Sequence, residues 1–453
     1  MKNIFKALFV AAASATLLTG CIKETFPKGN TLTSEQVAAS ENGLAYMVNG
    51  IPAAMMTSGT AGYASQYGFH GDFGISAIHL MTESMLEDLV VLGETGYFWF
   101  GAWLQNMSQG SDYIYCAYFW DCYYAWIKLA NDIIAKAGEV GENANSEVKK
   151  ALGQAYAYRA MFYLDLARLY EPKQNTVVPV SDDILGLTVP IITEKTTPEE
   201  VANNPRVPRE QMYEFILSDL KMAEEMLKTA GNSYTTPTLA AVYGMYAKAY
   251  LEMGYWKAGG DMEAFKKAAE YARLAITTSG KTPLTEAEWT DPANGFNKGS
   301  ANNSWIWGLP VSSDLIGNII CYTAHICCEG TWGYTTLSNP GINKALYDQI
   351  ADNDFRKKSF LSPDKSEWTS GKYRFAGSDA DAAYFLQALA KPYTSLKFRP
   401  VGGETVSHTT GNPADHCIMR VEELYFLEMV SEFFPLKWNI LPLARYYCNK
   451  DIK

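Results

Sequence analysis

The chain has 453 residues and a formal net charge of -11 at pH 7. An acidic surface repels phosphate backbones and anionic headgroups, so the charge argues against nucleic acid as a partner and against electrostatic adsorption to a membrane. Apolar residues make up 48% and aromatics 13%, with 29 Tyr against 20 Phe. This is enough for one large domain or two, and it favours contacts that join an apolar face to a polar tip.

Residues 1–20 open with Lys2 and Lys6, run apolar from Ala7 to Leu18 and reach Cys21 through "LTGC". The pattern predicts a bacterial lipoprotein signal peptide, cut before Cys21 with acylation of that thiol. The apolar stretch is shorter than the roughly 20 residues needed to span a bilayer. Loss of the two lysines takes the net charge from -11 to -13, so a lipid on Cys21 is what would hold the protein at a membrane.

"GYFWFGAW", residues 96–103, crowds Tyr97, Phe98, Trp99, Phe100 and Trp103 between Gly96 and the positions after Gly101. Two readings stand: a buried strand, or a platform of rings turned outward on a loop. The glycines weaken the strand.

Farther on the period becomes helical. In 151–172, Leu152, Ala155, Tyr158, Phe162, Leu166 and Leu169 recur every three or four residues, and Pro172 ends the run. Segment 208–228 starts with Pro208 and carries Met212, Phe215, Ile216, Leu220, Ala223 and Leu227 on one side. Segment 236–256 places Leu239, Val242, Tyr246, Ala249 and Met253 in register beside a strip of small residues, Ala240, Gly244 and Ala247, which lets a neighbouring helix approach. Segment 262–280 repeats the logic with Ala264, Ala268, Tyr271 and Ala275. Successive antiparallel helices with short turns predict a mainly α fold of tetratricopeptide-like (TPR-like) hairpins.

Residues 173–207 and 281–415 lack this period. The second stretch is too long for a plain loop and predicts an irregular layer with a few short strands. Beyond Cys21, seven cysteines remain: 116, 122, 321, 327, 328, 417 and 448. In an exported protein a pair such as Cys116 with Cys122, or one within 321–328, is open to oxidation. "CYTAHICC" gathers three thiols and His325 but lacks paired CxxC modules, so no metal is assigned to it.

These segments together resemble the SusD/RagB family of outer-membrane nutrient-binding lipoproteins. The resemblance runs through Cys21, "FWDCYYAWIKLANDII" (119–134), "AYAYRAMFYLDLARLYE" (155–171), "RVPREQMYEFILSDLKMAEEML" (206–227) and "LAAVYGMYAKAYLEMGYW". It continues in "NDFRKKSF" (353–360), "LKFR" (396–399) and "DHCIMRVEELYFLE" (415–428). It implies a surface-exposed lipoprotein of the outer membrane that binds a glycan, or in some branches a peptide, and hands it to a TonB-dependent transporter. It implies no catalysis and no cofactor, and the sequence has no GxxxxGK[ST] loop.

On that resemblance the chain divides into a signal peptide (1–20), a helical region (21–280), an irregular ligand-facing layer (281–415) and a last helix with a divergent tail (416–453). In the family, an aromatic arc ahead of the first long helix touches the ligand, which points to Tyr97, Trp99 and Trp103. Sugar rings pack their C–H faces on aromatic planes, and their hydroxyls need fixed polar partners. Asn106, Glu87 and Asp88 are candidates for those partners, and Trp289 and Trp332 for completing the arc.

A glycoside hydrolase would need two carboxyl groups about 5 to 10 Å apart across the bond. Glu83, Glu87 and Asp88 lie on a predicted helix with no carboxylate motif opposite, and neither GxSxG nor HExxH occurs. After Glu428 the chain leaves the family pattern. "MVSEFFPLKWNILPLARYYCNKDIK" is broken by Pro435 and Pro442. It looks truncated, with Phe433, Phe434, Leu436 and Trp438 expected to form an exposed apolar patch.

Overall fold

The computed structural model describes residues 43–59, 61–86, 88–92, 110, 112–140, 145–174, 179–257, 259–316, 319–331, 333–399, 405 and 414–433. Apart from Gly43, all belong to the unit Leu44–Lys453. Cys21, Glu87, Tyr97, Trp99, Trp103, Asn106, Trp332 and the tail beyond Phe433 lie outside the described residues, as does the side chain of Phe433 itself.

The scaffold is mainly α, as the periodicity predicts. Its helices are α1 (Gly43–Met56), α2 (Ile75–Ser84), α3 (Ile114–Val140), α4 (Ser146–Tyr170), α5 (Arg209–Leu227), α6 (Leu239–Gly254), α7 (Met262–Ser279) and α8 (Val421–Phe433). From α3 to α7 each helix packs on the next in sequence, and α8 closes on α7.

α4 shows why these residues make a helix. Asn145 caps it by accepting from the Val148 amide at 2.9 Å, Glu147 occupies the first turn and Arg168 the last. Glu171, the residue before Pro172, is extended and ends it. Ala155, Tyr158, Phe162 and Leu166 are fully buried. The expected stripe stops there: Leu169 is 37% exposed, in the last turn, where Arg168 reaches out to Glu252.

The small strip on α6 admits a neighbouring helix, as predicted, and the strand before that helix as well. Ala240, Gly244 and Ala247 are buried, and a Cβ at Gly244 would come within 2.3 Å of Met419 Sδ and 3.3 Å of Leu424. The closely approaching element at this point is the strand-to-helix junction before α8, rather than a hairpin partner.

Among the described residues, two short antiparallel ribbons complete the frame. β1 (Leu89–Val91) pairs with β3 (Pro340–Ile342). β2 (Trp305–Leu309), buried along its whole length, pairs with β4 (His416–Arg420), with register Trp305↔Arg420 and Leu309↔His416. Residues 416–420 were expected to begin the last helix and instead form this strand. Fully buried β2 needs partners for its backbone groups; the Gly308 amide finds one in the Tyr234 carbonyl at 2.6 Å, and 416–420 supply the paired strand.

The layer between α7 and β4 has a small core of its own: Cys328, Leu361, Trp368, Tyr373, Phe385 and Leu396. Arg399, from "LKFR", is tied to Glu329 at 2.5 Å, both nearly inaccessible, and donates to the Arg374 carbonyl. In the scaffold, Arg159 grips Asp219 through two bonds of 2.7 and 2.8 Å and also reaches Glu194 and Asn131. This network joins α3, α4, α5 and the 190s segment.

The disulfides that the sequence left open are absent among the described residues: Cys116, Cys122, Cys321, Cys327, Cys328 and Cys417 are all free thiols. Cys116 and Cys122 share α3. Six helical residues set their Cα atoms about 9 Å apart, beyond disulfide reach.

Candidate functional site

The aromatic segment 96–103 lies between two described anchors. On its N-terminal side, Met85 closes α2 by bonding its amide to Thr82 and Glu83 carbonyls, and the chain then enters β1. Asp88 is therefore not on a helix, contrary to expectation. It lies in a bend with its side chain exposed, while its carbonyl accepts from the Asn343 amide at 3.1 Å.

The ribbon is held firmly at this end. The Leu92 amide donates to the Asn339 carbonyl at 3.1 Å. Asn339 adopts a left-handed φ of 45°, fixed by Nδ2 donating to the Leu389 carbonyl and Oδ1 accepting from Thr394. On the C-terminal side, the Tyr113 amide closes a turn on the Gly110 carbonyl, and α3 starts at Ile114. Tyr113 is exposed there. Near the same end of α3, Tyr63 meets exposed Tyr67 at a tilt, ring centres 5.6 Å apart, and donates its hydroxyl to Asp121 at 2.6 Å. Exposed tyrosines beside a fixed carboxylate offer the mixed apolar and polar surface that sugar rings require.

Trp289 ends the short helix Glu286–Trp289, which a capping box between Thr285 and Glu288 starts. The indole is half-buried. Its Nε1–H donates to Ser359 Oγ at 2.6 Å, Phe296 and Phe355 meet the ring edge-on, and the Arg420 guanidinium lies 5.7 Å from its centre. Its polar handle is thus spent inside the layer, and Trp289 and Asp88 lie on different elements.

The sequence reading missed a cavity of about 370 Å³ inside the scaffold. α2 contributes His79, Thr82 and Glu83; α4 contributes Asp165 and Arg168; Lys248 comes from α6 and Glu423 from α8, over a floor that includes Trp307 and Met419. Lys248 pairs with Glu423 at 2.8 Å, and Asp165 accepts from Tyr123 at 3.1 Å. His79 Nδ1 lies 2.9 Å from His416 Nε2 at the cavity's edge. Burial holds both imidazoles below the ordinary histidine range, His416 well below it, with His79 adding to the effect on His416. The only sequence signal was polar residues such as Asp165 and Arg168 within otherwise apolar helical stretches.

Antiparallel helical hairpins carrying an irregular layer define a TPR-like scaffold. Residues 75–251 match the SusD-like_3 family model, described as starch-binding and associating with the outer membrane. SusD-like protein P2 of Formosa agariphila is 28% identical over 197 residues, which is 44% of this chain and 34% of that protein. The chain's match thus spans about a third of that relative's length.

A SusD-like carbohydrate-binding protein of Bacteroides vulgatus superposes with a TM-score of 0.65 at 19% identity, over 90% of this chain and 73% of that one. Surface glycan-binding protein A of Bacteroides thetaiotaomicron, solved in complex with laminarihexaose, gives 0.60 at 15% identity, over 90% and 81%. Residues 75–251 match a SusD-like family model, and the fold is similar to that of SusD-like structures, in line with the resemblance read from the motifs.

Proposed function

We propose that this chain is a non-catalytic, surface-exposed lipoprotein of the outer membrane that captures a glycan and delivers it to a TonB-dependent transporter. One observation carries the reading: the aromatic run 97–103 falls in the sequence between β1 and the start of α3. Its support is the match of 75–251 to a family described as starch-binding and associating with the outer membrane. A fold neighbour solved with laminarihexaose adds to it.

In this reading Tyr97, Trp99 and Trp103 stack on sugar rings, Asn106 and Asp88 hold hydroxyls, and Trp289 and Trp332 border the site from the irregular layer. Cys21 carries the lipid. A glycan array probed with the purified protein, beside a peptide library, tests the ligand class. Glycan binding that falls by about 1–3 kcal/mol for each of Trp99→Ala and Trp103→Ala, with melting temperature unchanged, is the expected result. Binding confined to peptides, or substitutions that lower only the melting temperature, would refute it.

A further inference from the structure

The cavity between α2, α4, α6 and α8 takes no part in the proposed function, and its cations are already paired. Lys248 meets Glu423 at 2.8 Å and Arg168 meets Glu252 at 2.9 Å, while exposed Glu83 and Arg168 open the cavity to solvent. The polar groups nevertheless keep hydrogen-bonding capacity in reserve. Asp165 gives one oxygen to Tyr123 and has the other open, and Arg168 uses only Nε on Glu252, which leaves both Nη groups. His79 is engaged through Nδ1 alone. The Thr82 hydroxyl donates to carbonyls of its own helix and can still accept.

We propose that this cavity is a second sugar site, which takes one neutral, polyhydroxylated sugar ring. Vicinal hydroxyls each donate and accept, so they suit an acid set beside a base: Asp165 beside Arg168, three positions on along α4, and Glu423 beside Lys248. One hydroxyl donates to the carboxylate while its neighbour accepts from the cation. Leu164 and Met245 supply apolar wall for the C–H face of the ring. At about 370 Å³ the cavity stands at the small end of the range for ligand sites, with room for a single ring rather than a chain.

A charged ligand is the weaker occupant. An anion would meet Asp165, Glu83 and Glu423, a cation would meet Arg168 and Lys248, and either would compete with an existing ion pair. Burial holds His79 below the ordinary histidine range, so it adds a neutral ring with an open Nε2 rather than a third cation. A neutral sugar leaves this balance as it is.

The test titrates the purified full chain with glucose, galactose and mannose, and with glucosamine and glucuronate as charged controls, by calorimetry and by NMR of isotope-labelled methionine methyls. At least one neutral sugar should saturate with a dissociation constant of roughly 1–10 mM, the range expected of so small a ligand, and the charged controls should bind about ten-fold more weakly. Methyl signals of Met161, Met245 and Met419, which line the cavity, should shift, and that of Met262, on α7 outside it, should not. Asp165→Asn and Glu423→Gln keep side-chain size and stand on different helices; each should weaken binding about ten-fold with melting temperature unchanged. Absence of saturation by about 100 mM sugar would overturn the proposal and leave the cavity to water, while longer glycans bound on an array would still support the proposed function. Saturation that leaves Met161, Met245 and Met419 unmoved would overturn it by placing the sugar elsewhere. Tighter binding of glucosamine or glucuronate than of any neutral sugar would overturn the assigned class.

Discussion

Lowering the pH from 7.5 to 5.5 should cost this fold stability through three buried imidazoles. His325 is fully inaccessible, between Phe73 and Tyr334 at 4.7 and 4.6 Å, and burial pushes it down to about 3. His79 and His416 are also held below the ordinary range by burial. A depressed histidine stays neutral in the folded state while the unfolded chain takes up a proton near pH 6.5. The unfolded state therefore binds more protons, and stability is complete above pH 6.5 and falls below it. For one imidazole locked neutral, as His325 is, the loss from pH 7.5 to 5.5 is about 1.4 kcal/mol, and His79 and His416 add to it in the same direction.

Buried Asp72 and Glu171 and half-buried Asp415 act in the opposite sense, since desolvation raises their carboxyls and the folded state gains protons as pH falls. His325→Phe isolates one histidine from that background. The ring suits its aromatic neighbours and cannot titrate, although it loses the 2.8 Å bond from Nδ1 to the Cys321 carbonyl. Urea unfolding followed by tryptophan fluorescence at both pH values should show the variant losing about 1.4 kcal/mol less than the parent. Parallel losses in parent and variant would refute the argument.

Arg159→Met leaves Asp219 buried without its partner and should cost about 3–5 kcal/mol in urea unfolding, with part recovered in Arg159→Met/Asp219→Leu; a cost below 1 kcal/mol would show that water reaches the site. Gly74 has φ 70° and ψ -145°, and a Cβ there would sit 1.9 Å from the Met55 carbonyl oxygen. Gly74→Ala should therefore destabilise by at least about 2 kcal/mol, and an unchanged melting temperature would contradict this. Alkylation of denatured protein without reductant, read by peptide mapping, should label all six described cysteines. In the native protein Cys321, Cys327 and Cys417 should react slowly at pH 8, because burial pushes their thiols up to about 11, 12 and 12; a disulfide-linked peptide would refute the assignment.

The sequence by itself determined the helical elements. A stripe such as Ala155, Tyr158, Phe162 and Leu166 is written in contiguous residues, and burying it is nearly the only way to satisfy it. The order of the hairpins followed from their short connections, and the motifs from 119 to 428 pointed to the SusD-like fold. The aromatic segment was legible only as composition, and its placement lies outside the described residues. Tertiary structure decided the rest. Residues 416–420 became a strand because distant β2 required an edge, and Gly244 proved to admit β4 and α8. Asp88 moved off the helix because the 340s pulled the chain into a ribbon. The charged cavity draws on α2, α4, α6 and α8, and His79 meets a partner 337 positions away. Local period records which face of a segment seeks burial, but not which distant polar group shares that burial, because pairing depends on how whole elements are brought together.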